Sequence, residues 1–432
     1  MRPSVLVRIA VAATAVSAVA WWMWRKHERK LVPIPIGVLV ATSGASVEFD
    51  RPTLDGVLAA IEVANADTKT NDRPLLAVVR DTAGDPAVAA RAAEGLVKEG
   101  VGVMIGGASP SVRRAIETAI APLGALLVSP ISPEGLDRSP ALITLGTLPN
   151  QRAVPAAAWA VTTLGKRAFL IANDGVLQRV VDAILHDHVT CVGGEIVGGA
   201  WIRERGGDEA KDVASAVAAI LKAKPDVIIS GLNRASTVAL LTALRSARVK
   251  SVDTPMVNWQ LRLGELKQID GKLIEGDYLV ASTLASDDDL GEEFAAAYAT
   301  QSGGAIADAR AAAAVAAVEL VRQAIERSGG VDPKGVRAAM LGASVPSAGG
   351  ATVVDAASGA TWKMAHIARI GADGSVSEVW ASAGAIRPRP WPVWRSRSEW
   401  MSLLANPSAS PPAVAPATPP APAPSRESEA KP

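Results

Sequence analysis

From Ile34 onward the chain alternates short apolar runs with amphipathic segments, and this alternation restricts its fold more than any other feature. "IPIGVLVA", "RPLLAVVR", "VGVMIGG" and "GALLVSP" read as strands. Between them, "RPTLDGVLAAIEVANA", "AVAARAAEGLVKEG" and a segment beginning near Pro110 carry apolar residues at helical spacing. "ALITLGT" is a further strand, and "PNQRAVPAAAWAVTTLG" starts a new helix. The pattern then begins again with "RAFLIAND", "GVLQRVVDAILHDHV", "GGEIVGGAWI", a helix near 208–223, "KPDVIISGLN", "RASTVALLTALRSARV" and "TPMVNWQ". "EGDYLVASTLAS" is extended, three helices fill about 288–342, and "ATWKMAHIARIGADGSVSEVWAS" alternates around "GADG" as a hairpin does. Strands separated by helices need right-handed crossovers, which give parallel sheets covered on both faces. One long sheet satisfies this order, but two units of similar size, rejoined by later segments, favour twin α/β lobes.

Open parallel sheets take ligands at the carboxyl ends of their strands. Those ends are the loops after Val40, Ile105, Val128, Ile171 and Ile229. The stretch "VSPISPEGL" (128–136) is one of them. In "GGASPSVRRAI", Ser109 is a good N-cap and Pro110 suits the first helical position. The free N–H groups of that helix start would face the crevice, where they can receive a carboxylate or amide oxygen. A plain capped helix explains the same residues.

The 432 residues exceed one ordinary core, so at least two domains are expected. A formal net charge of +1, with scattered Lys and Arg, provides no field for nucleic acid. The single cysteine, Cys191, excludes an intrachain disulfide and a thiolate zinc cluster. At the N-terminus, Arg2 and Arg8 precede the apolar run "IAVAATAVSAVAWWMW" (9–24), which "RKHERK" closes. Sixteen helical residues span about 24 Å, short of the roughly 30 Å hydrocarbon core, although snorkelling arginines and a tryptophan belt can make up the difference. Residues 1–30 are therefore expected to be an export signal, either cleaved after Ala20 or retained as a membrane anchor. No cysteine follows, which rules out a lipoprotein signal. At the other end, residues 405–432 hold nine prolines among Ala and Ser. Such a stretch buries too little apolar surface to fold, so a disordered or extended tail is expected.

Catalytic and cofactor patterns are missing. "GVGVMIGGASPS" does not have G-x-G-x-x-G spacing, and neither a G-x-S-x-G elbow nor a phosphate loop is present. His186 and His188 in "HDHVTC" point about 200° apart on a helix, which argues against a metal cluster with Cys191. Asp287, Asp288, Asp289, Glu292 and Glu293 lack calcium-loop spacing and sit where carboxylates complement a helix dipole. No enzyme, cofactor or metal is expected.

Several stretches in a fixed order carry a resemblance: "EGLDRSPALITLGTLPNQRAVPAAAW", "GKRAFLIANDGVLQR", "AKPDVIISGLN", "TWKMAHIARIGADGSVSEVW" and "IRPRPWP". From about Ile34 to Pro392 the chain resembles ABC-transporter substrate-binding proteins with the type I periplasmic fold, most of all the urea and short-chain-amide receptors. The resemblance implies two doubly wound parallel-sheet lobes joined by a three-segment hinge and closing on a ligand. The first lobe would hold 34–150 plus 283–344, the second 151–282 plus 345–392, and 393–432 would form a C-terminal extension.

Matching positions imply ligand-binding roles for Ser43 and Gly44 after the first strand and for Ala108, Ser109, Pro110 and Ser111 at the helix start. They also imply such roles for Ser129, Pro133 and Glu134 in the opening of "VSPISPEGL" and for Asp174 and Asn233 in the second lobe; Arg179 matches the family's loop after Asp174. The same loops depart from the family. Ser129 and Pro133 stand where tyrosines are usual, Gly175 replaces an aromatic, Ala108 replaces a Trp, and Arg234-Ala235 replace a polar pair. With only Tyr278 and Tyr298 in the chain, a tyrosine-lined amide cage cannot be built. Each lost hydroxyl removes a hydrogen bond worth about 1 kcal/mol, so the amide specificity should be gone and the cleft should take a different, larger ligand or none. The resemblance implies an exported, non-catalytic solute receptor in the periplasm or cell envelope that delivers a small-molecule ligand to an ABC permease. The alternative is a membrane-anchored sensory or regulatory protein that reports its ligand to a partner.

Overall fold

The computed structural model describes residues 32–66, 73–107, 109–133, 135, 139–203, 207–284, 292–304, 309–347 and 350–405. The expected export segment 1–30, the tail from 406, Ala108 and Glu134 lie outside the described residues. Among the described helices none is long and apolar enough to cross a membrane.

The first five strands are β1 (Ile34–Val40), β2 (Leu75–Asp81), β3 (Val103–Gly106), β4 (Leu126–Ser129) and β5 (Leu142–Thr144). They form one wholly parallel sheet in the order β2-β1-β3-β4-β5. The helices α1 (Val47–Ala66), α2 (Pro86–Lys98) and α3 (Pro110–Ile120) cross between them. Their starts follow local chemistry: Asp85 accepts the Ala87 and Val88 N–H groups, Ser109 accepts that of Val112, and a proline occupies the first turn of both α2 and α3. The strands β1, β3, β4 and β5 are apolar and buried on both sides because both sides are covered, while the edge strand β2 is partly exposed. Ile34, Ile36, Val38 and Val40 face one core, while Leu39 and Met104 face the other, beneath α2 and α3.

The second sheet begins with α4 (Ala153–Thr163) and repeats the scheme with β6 (Arg167–Asn173), α5 (Val176–Cys191), β7 (Glu195–Ile202), α6 (Glu209–Ala223), β8 (Val227–Gly231), α7 (Arg234–Ser246), β9 (Met256–Asn258), α8 (Gly271–Ile274) and β10 (Tyr278–Ala281). Its parallel part runs β7-β6-β8-β9-β10, the first sheet's order over again. Phe169 and Ile171 pack against α6 and α7, while Ala168 and Leu170 pack against α4 and α5. The chain then returns to the first lobe with α9 (Glu292–Ser302), α10 (Ala309–Ser328) and α11 (Pro333–Met340), whose Phe294, Val321 and Met340 share the core of α1. The expected twin lobes are therefore present, each doubly wound.

One boundary differs from the expected bounds. The ribbon β11 (Ser344–Ser347) and β12 (Gly350–Val353) stays with the first lobe, since Val345 and Val354 lie in its core and the Gly359 carbonyl accepts the Thr144 N–H. The third crossing therefore comes after Val354 and not at 345. Beyond it, the expected hairpin forms from β13 (His366–Ile370) and β14 (Val376–Ala381), turning at "GADG" with Gly374 at φ 78° and adding two antiparallel strands to the second sheet. Within the C-terminal extension, ahead of the tail expected from about 405, residues 397–405 form a helix, α12 (Arg397–Ala405). Trp391, Trp394 and the fully buried Trp400 pack there on Val180 and Ile184 of α5.

Candidate functional site

In sheets of this order the crevice opens where strand order reverses, outside the ends of the first and third strands. Here that means the loops after β1 and β3 in one lobe and after β6 and β8 in the other. Five of the described sequence-predicted residues lie there in the first lobe, and two in the second.

In the first lobe the loop after β1 is held by two carboxylates. Buried Asp50 accepts the Ala41 N–H at 2.6 Å, and burial pushes its pKa up to about 6. Asp81, at the end of β2, accepts the Thr42 N–H at 2.8 Å and the Ser43 hydroxyl at 2.5 Å, with the Ser43 and Ala83 N–H groups adding to the set. The Ser43 hydroxyl bond is the largest cause of a pKa lowered to about 2. Ser43 and Gly44 are exposed, and Gly44 has φ 80°. After β3, Gly106 comes so close to β1 that an added Cβ would sit 2.1 Å from the Leu39 carbonyl oxygen. That approach lets α3 begin directly at the crevice, where Ser109 Oγ lies 3.1 Å from Ser111 Oγ. Pro110 stands in the first turn between them.

Ser129 and Pro133 lie differently. Ser129 ends β4, one strand beyond the switch point, and is fully buried with no hydrogen-bond partner for its hydroxyl. Pro133 is also buried, and an added Cβ on its neighbour Gly135 would sit 3.2 Å from the Pro390 carbonyl oxygen. The last segment thus runs over this loop, and neither residue offers surface to a solute in this conformation.

In the second lobe, Asn173 accepts the Asn233 N–H at 2.7 Å and donates to Ser236 Oγ at 2.9 Å. Asn233 caps α7 through the Ser236 N–H, and Ser236 Oγ donates to Glu209. Asp174 is exposed and paired with Arg179 at 2.7 Å; Arg179 also lies 5.1 Å from the Trp201 ring. The two tyrosines are elsewhere. Tyr278 stacks edge-on against Trp159 at 4.9 Å, and Tyr298 is buried beside Phe294.

The lobes touch over the crevice. Arg262, which follows β9, lies 5.9 Å from the ring of Phe49 at the start of α1, and α3 meets α5. At the hinge end a space of about 20 Å³ remains, lined by residues of both lobes that include Ser132, Thr147, Arg152, Leu177, Trp259 and Gln260. Trp259 lies across the second switch point because Gly231 leaves room for it: an added Cβ would sit 2.3 Å from the indole. The sequence reading missed Arg152, Trp259 and Gln260. The signal was available, since Trp259-Gln260 directly follow the carboxyl end of β9. A larger groove, about 980 Å³, runs between the outer faces of α2 and α3, with Ala90, Ala115, Ala119 and Leu123 along it, and no strand end opens into it.

The family profile of the periplasmic binding protein domain matches residues 34–397, nearly all of the folded chain. The chain belongs to the periplasmic binding protein family. Members of this family bind solutes and are not enzymes. Solved structures agree on the fold. A solute-binding protein of an ABC transporter from Rhodopseudomonas palustris BisB5, in complex with 3,4-dihydroxybenzoic acid, is 18% identical, with a TM-score of 0.70 over 83% of this chain and 99% of that one. An amino acid ABC transporter substrate-binding protein from Pseudomonas fluorescens Pf-5 is 18% identical, with a TM-score of 0.71 over 83% and 97%. A leucine-binding protein from Thermotoga maritima is 20% identical, with a TM-score of 0.66 over 81% and 98%. The fold of two α/β lobes is thus shared with these proteins over 81–83% of this chain.

Proposed function

We propose that the chain is the solute-binding component of an ABC-type uptake system in the periplasm, built on the scaffold of the urea and short-chain-amide receptors but no longer selective for amides. The observation that carries this reading is the meeting of two like sheets, switch point to switch point, at a hinge where both lobes line one space. Such a clamshell converts solute binding into a closed form that a membrane partner can recognise. The Rhodopseudomonas palustris and Pseudomonas fluorescens proteins are described as solute- or substrate-binding proteins of ABC transporters, which supports the transport role. The altered specificity rests on the loops. Ser43, Gly44, Ala108, Ser109, Pro110, Ser111, Asp174 and Asn233 are the proposed rim contacts, with Glu134 a further candidate outside the described residues. No tyrosine hydroxyl is available there to pair with an amide.

A thermal-shift screen of the purified protein tests this reading, with urea, acetamide, amino acids, and aliphatic and aromatic acids at millimolar concentration. Stabilisation by at least one non-amide solute, confirmed by titration calorimetry, is the expected result. A clear upward shift with urea or acetamide would defeat the altered specificity. A blank across the whole panel would count against a solute receptor.

A further inference from the structure

Arg152 stands at the first crossing between the lobes, immediately before α4. Its Nε donates to the Val280 carbonyl at 3.2 Å and its Nη2 to the Leu261 carbonyl at 3.0 Å. Among the described residues no carboxylate is hydrogen-bonded to it. The nearest candidate, Glu265, is already engaged by Arg262, whose guanidinium it holds at 2.6 Å and whose N–H it accepts at 2.9 Å. Arg262 adds a second positive charge to the neighbourhood. Burial is the main cause that pushes the Arg152 pKa down to about 10, with Arg262 second. Arg152 is half-buried with its hydrogen bonds going to carbonyls, and although Glu265 acts on it electrostatically, an anion alongside would offset more of the desolvation.

The remaining lining has matching chemistry. Ser132 Oγ accepts the Thr147 N–H at 3.2 Å, which leaves the Ser132 hydroxyl proton to give. The Thr147 hydroxyl and the Gln260 side-chain amide have no partner among the described residues. These three groups line the same space as Arg152. Ser132 and Thr147 come from the first lobe, Arg152 and Gln260 from the second, so only closure assembles the full set of donors. Trp259 and Leu177 contribute apolar surface beside them. The space of about 20 Å³ is enough for about one water molecule, so a bound solute holds the lobes further apart than they stand here.

We propose that this cleft closes on the carboxylate of a small monocarboxylate solute, seated on Arg152 and reached by donors from both lobes, with the solute's short apolar part against Trp259. The proposal rests on the solute-receptor reading above and narrows it to one chemical class. The hydroxyls and the Gln260 amide can donate or accept, so the discrimination against a neutral amide of the same shape comes from the Arg152 charge, which an amide does not match.

Titration calorimetry on the full chain with matched pairs, butyrate against butyramide and benzoate against benzamide, tests the proposal. At least one acid should bind about 10–100-fold more tightly than its amide, and Arg152→Gln should lose a similar factor while Arg152→Lys keeps part of it. If Arg152→Gln does not fold, Ser132→Ala and Gln260→Ala are read in its place, each with a roughly fivefold loss confined to the acid. Equal affinity for acid and amide, unchanged acid affinity in these variants, or no binding of any acid would overturn the proposal. In each case the receptor reading survives if a neutral solute from the wider screen binds, and both fail only if nothing does.

Discussion

Arg395 and Asp187 meet through two hydrogen bonds of 2.6 Å, Nε to Oδ2 and Nη2 to Oδ1, across 208 residues of chain. Their side chains are only 5% and 3% exposed. Around the pair, Trp400 donates its indole N–H to the Pro392 carbonyl at 3.0 Å, and Trp391 and Trp394 close over α5. The C-terminal segment is therefore a strap on the second lobe. Asp187→Ala takes the carboxylate away from a buried guanidinium, a change that costs about 3–5 kcal/mol in a rigid site. The strap can escape that cost by lifting off, so the expected outcome is partial: trypsin cuts after Arg395 and Arg397 much faster, while the two lobes unfold at nearly the wild-type denaturant midpoint. The double change Asp187→Leu with Arg395→Met should restore most of the protection. Unchanged cleavage in Asp187→Ala would mean that the strap does not depend on the pair.

The same strap should respond to acid through His188. Both ring nitrogens are buried without a partner, the ring lies 5.1 Å from that of Trp394, and burial pushes the pKa down to about 4. The unfolded chain, with a histidine pKa near 6.5, then binds more protons than the native state between about pH 4 and 6.5. The stabilisation is complete above pH 6.5 and is lost as pH falls toward 4. Between pH 7 and pH 5 it should shrink by up to about 2 kcal/mol. Asp50 and Asp277, both pushed up to about 6 by burial, oppose this trend. The measurement is thus a difference: thermal stability against pH in the wild type and in His188→Phe, which should lose less stability on acidification.

What the sequence made legible was local. Strands, helix starts and the "GADG" hairpin depend on periodicity, capping residues and turn glycines within a few positions of each other, and each formed where expected. The third crossing was misplaced because Val345 and Val354 announce only that they are apolar, not which of two cores they join. The strap was missed for the same reason, since nothing near Trp400 in the chain indicates Val180 and Ile184 as its partners. At the cleft, a lone arginine opening a helix reads as a solvated residue, and only the fold reveals that Arg152 faces carbonyls from Val280 and Leu261. Ser43, Ser109, Asp174 and Asn233 follow strand ends, which the order of elements defines, while their assignment to a ligand rested on the resemblance.

Asp81 makes a separate test of the first cleft loop. It receives three backbone N–H groups and the Ser43 hydroxyl, so Asp81→Asn should loosen residues 42–44 at a cost of about 1–2 kcal/mol. Its lowered pKa gives a pH window as well. The contribution is fully present above the unfolded value near 3.8 and is lost as pH falls through about 2. Amide exchange at Thr42 and Ser43, followed by NMR or mass spectrometry, should accelerate in Asp81→Asn at neutral pH. If those amides exchange at the wild-type rate, the carboxylate does not hold the loop.

Restoring a tyrosine at Ser129 separates the two ways of reading that position. As an exposed rim residue it would accept the ring and regain a hydroxyl for an amide ligand. As observed, Ser129 is wholly enclosed and its Oγ lacks a partner. A phenol forced into close-packed surroundings displaces its neighbours, at a cost of about 1–3 kcal/mol or more, while Ser129→Ala removes only an unpaired buried hydroxyl and should be neutral or mildly stabilising. Chemical denaturation of both variants should therefore move in opposite directions, with Ser129→Tyr gaining no affinity for urea or acetamide. A Ser129→Tyr protein as stable as the wild type and able to bind acetamide would show that the loop at 129–135 opens to the cleft, and that specificity was lost there by side-chain replacement alone.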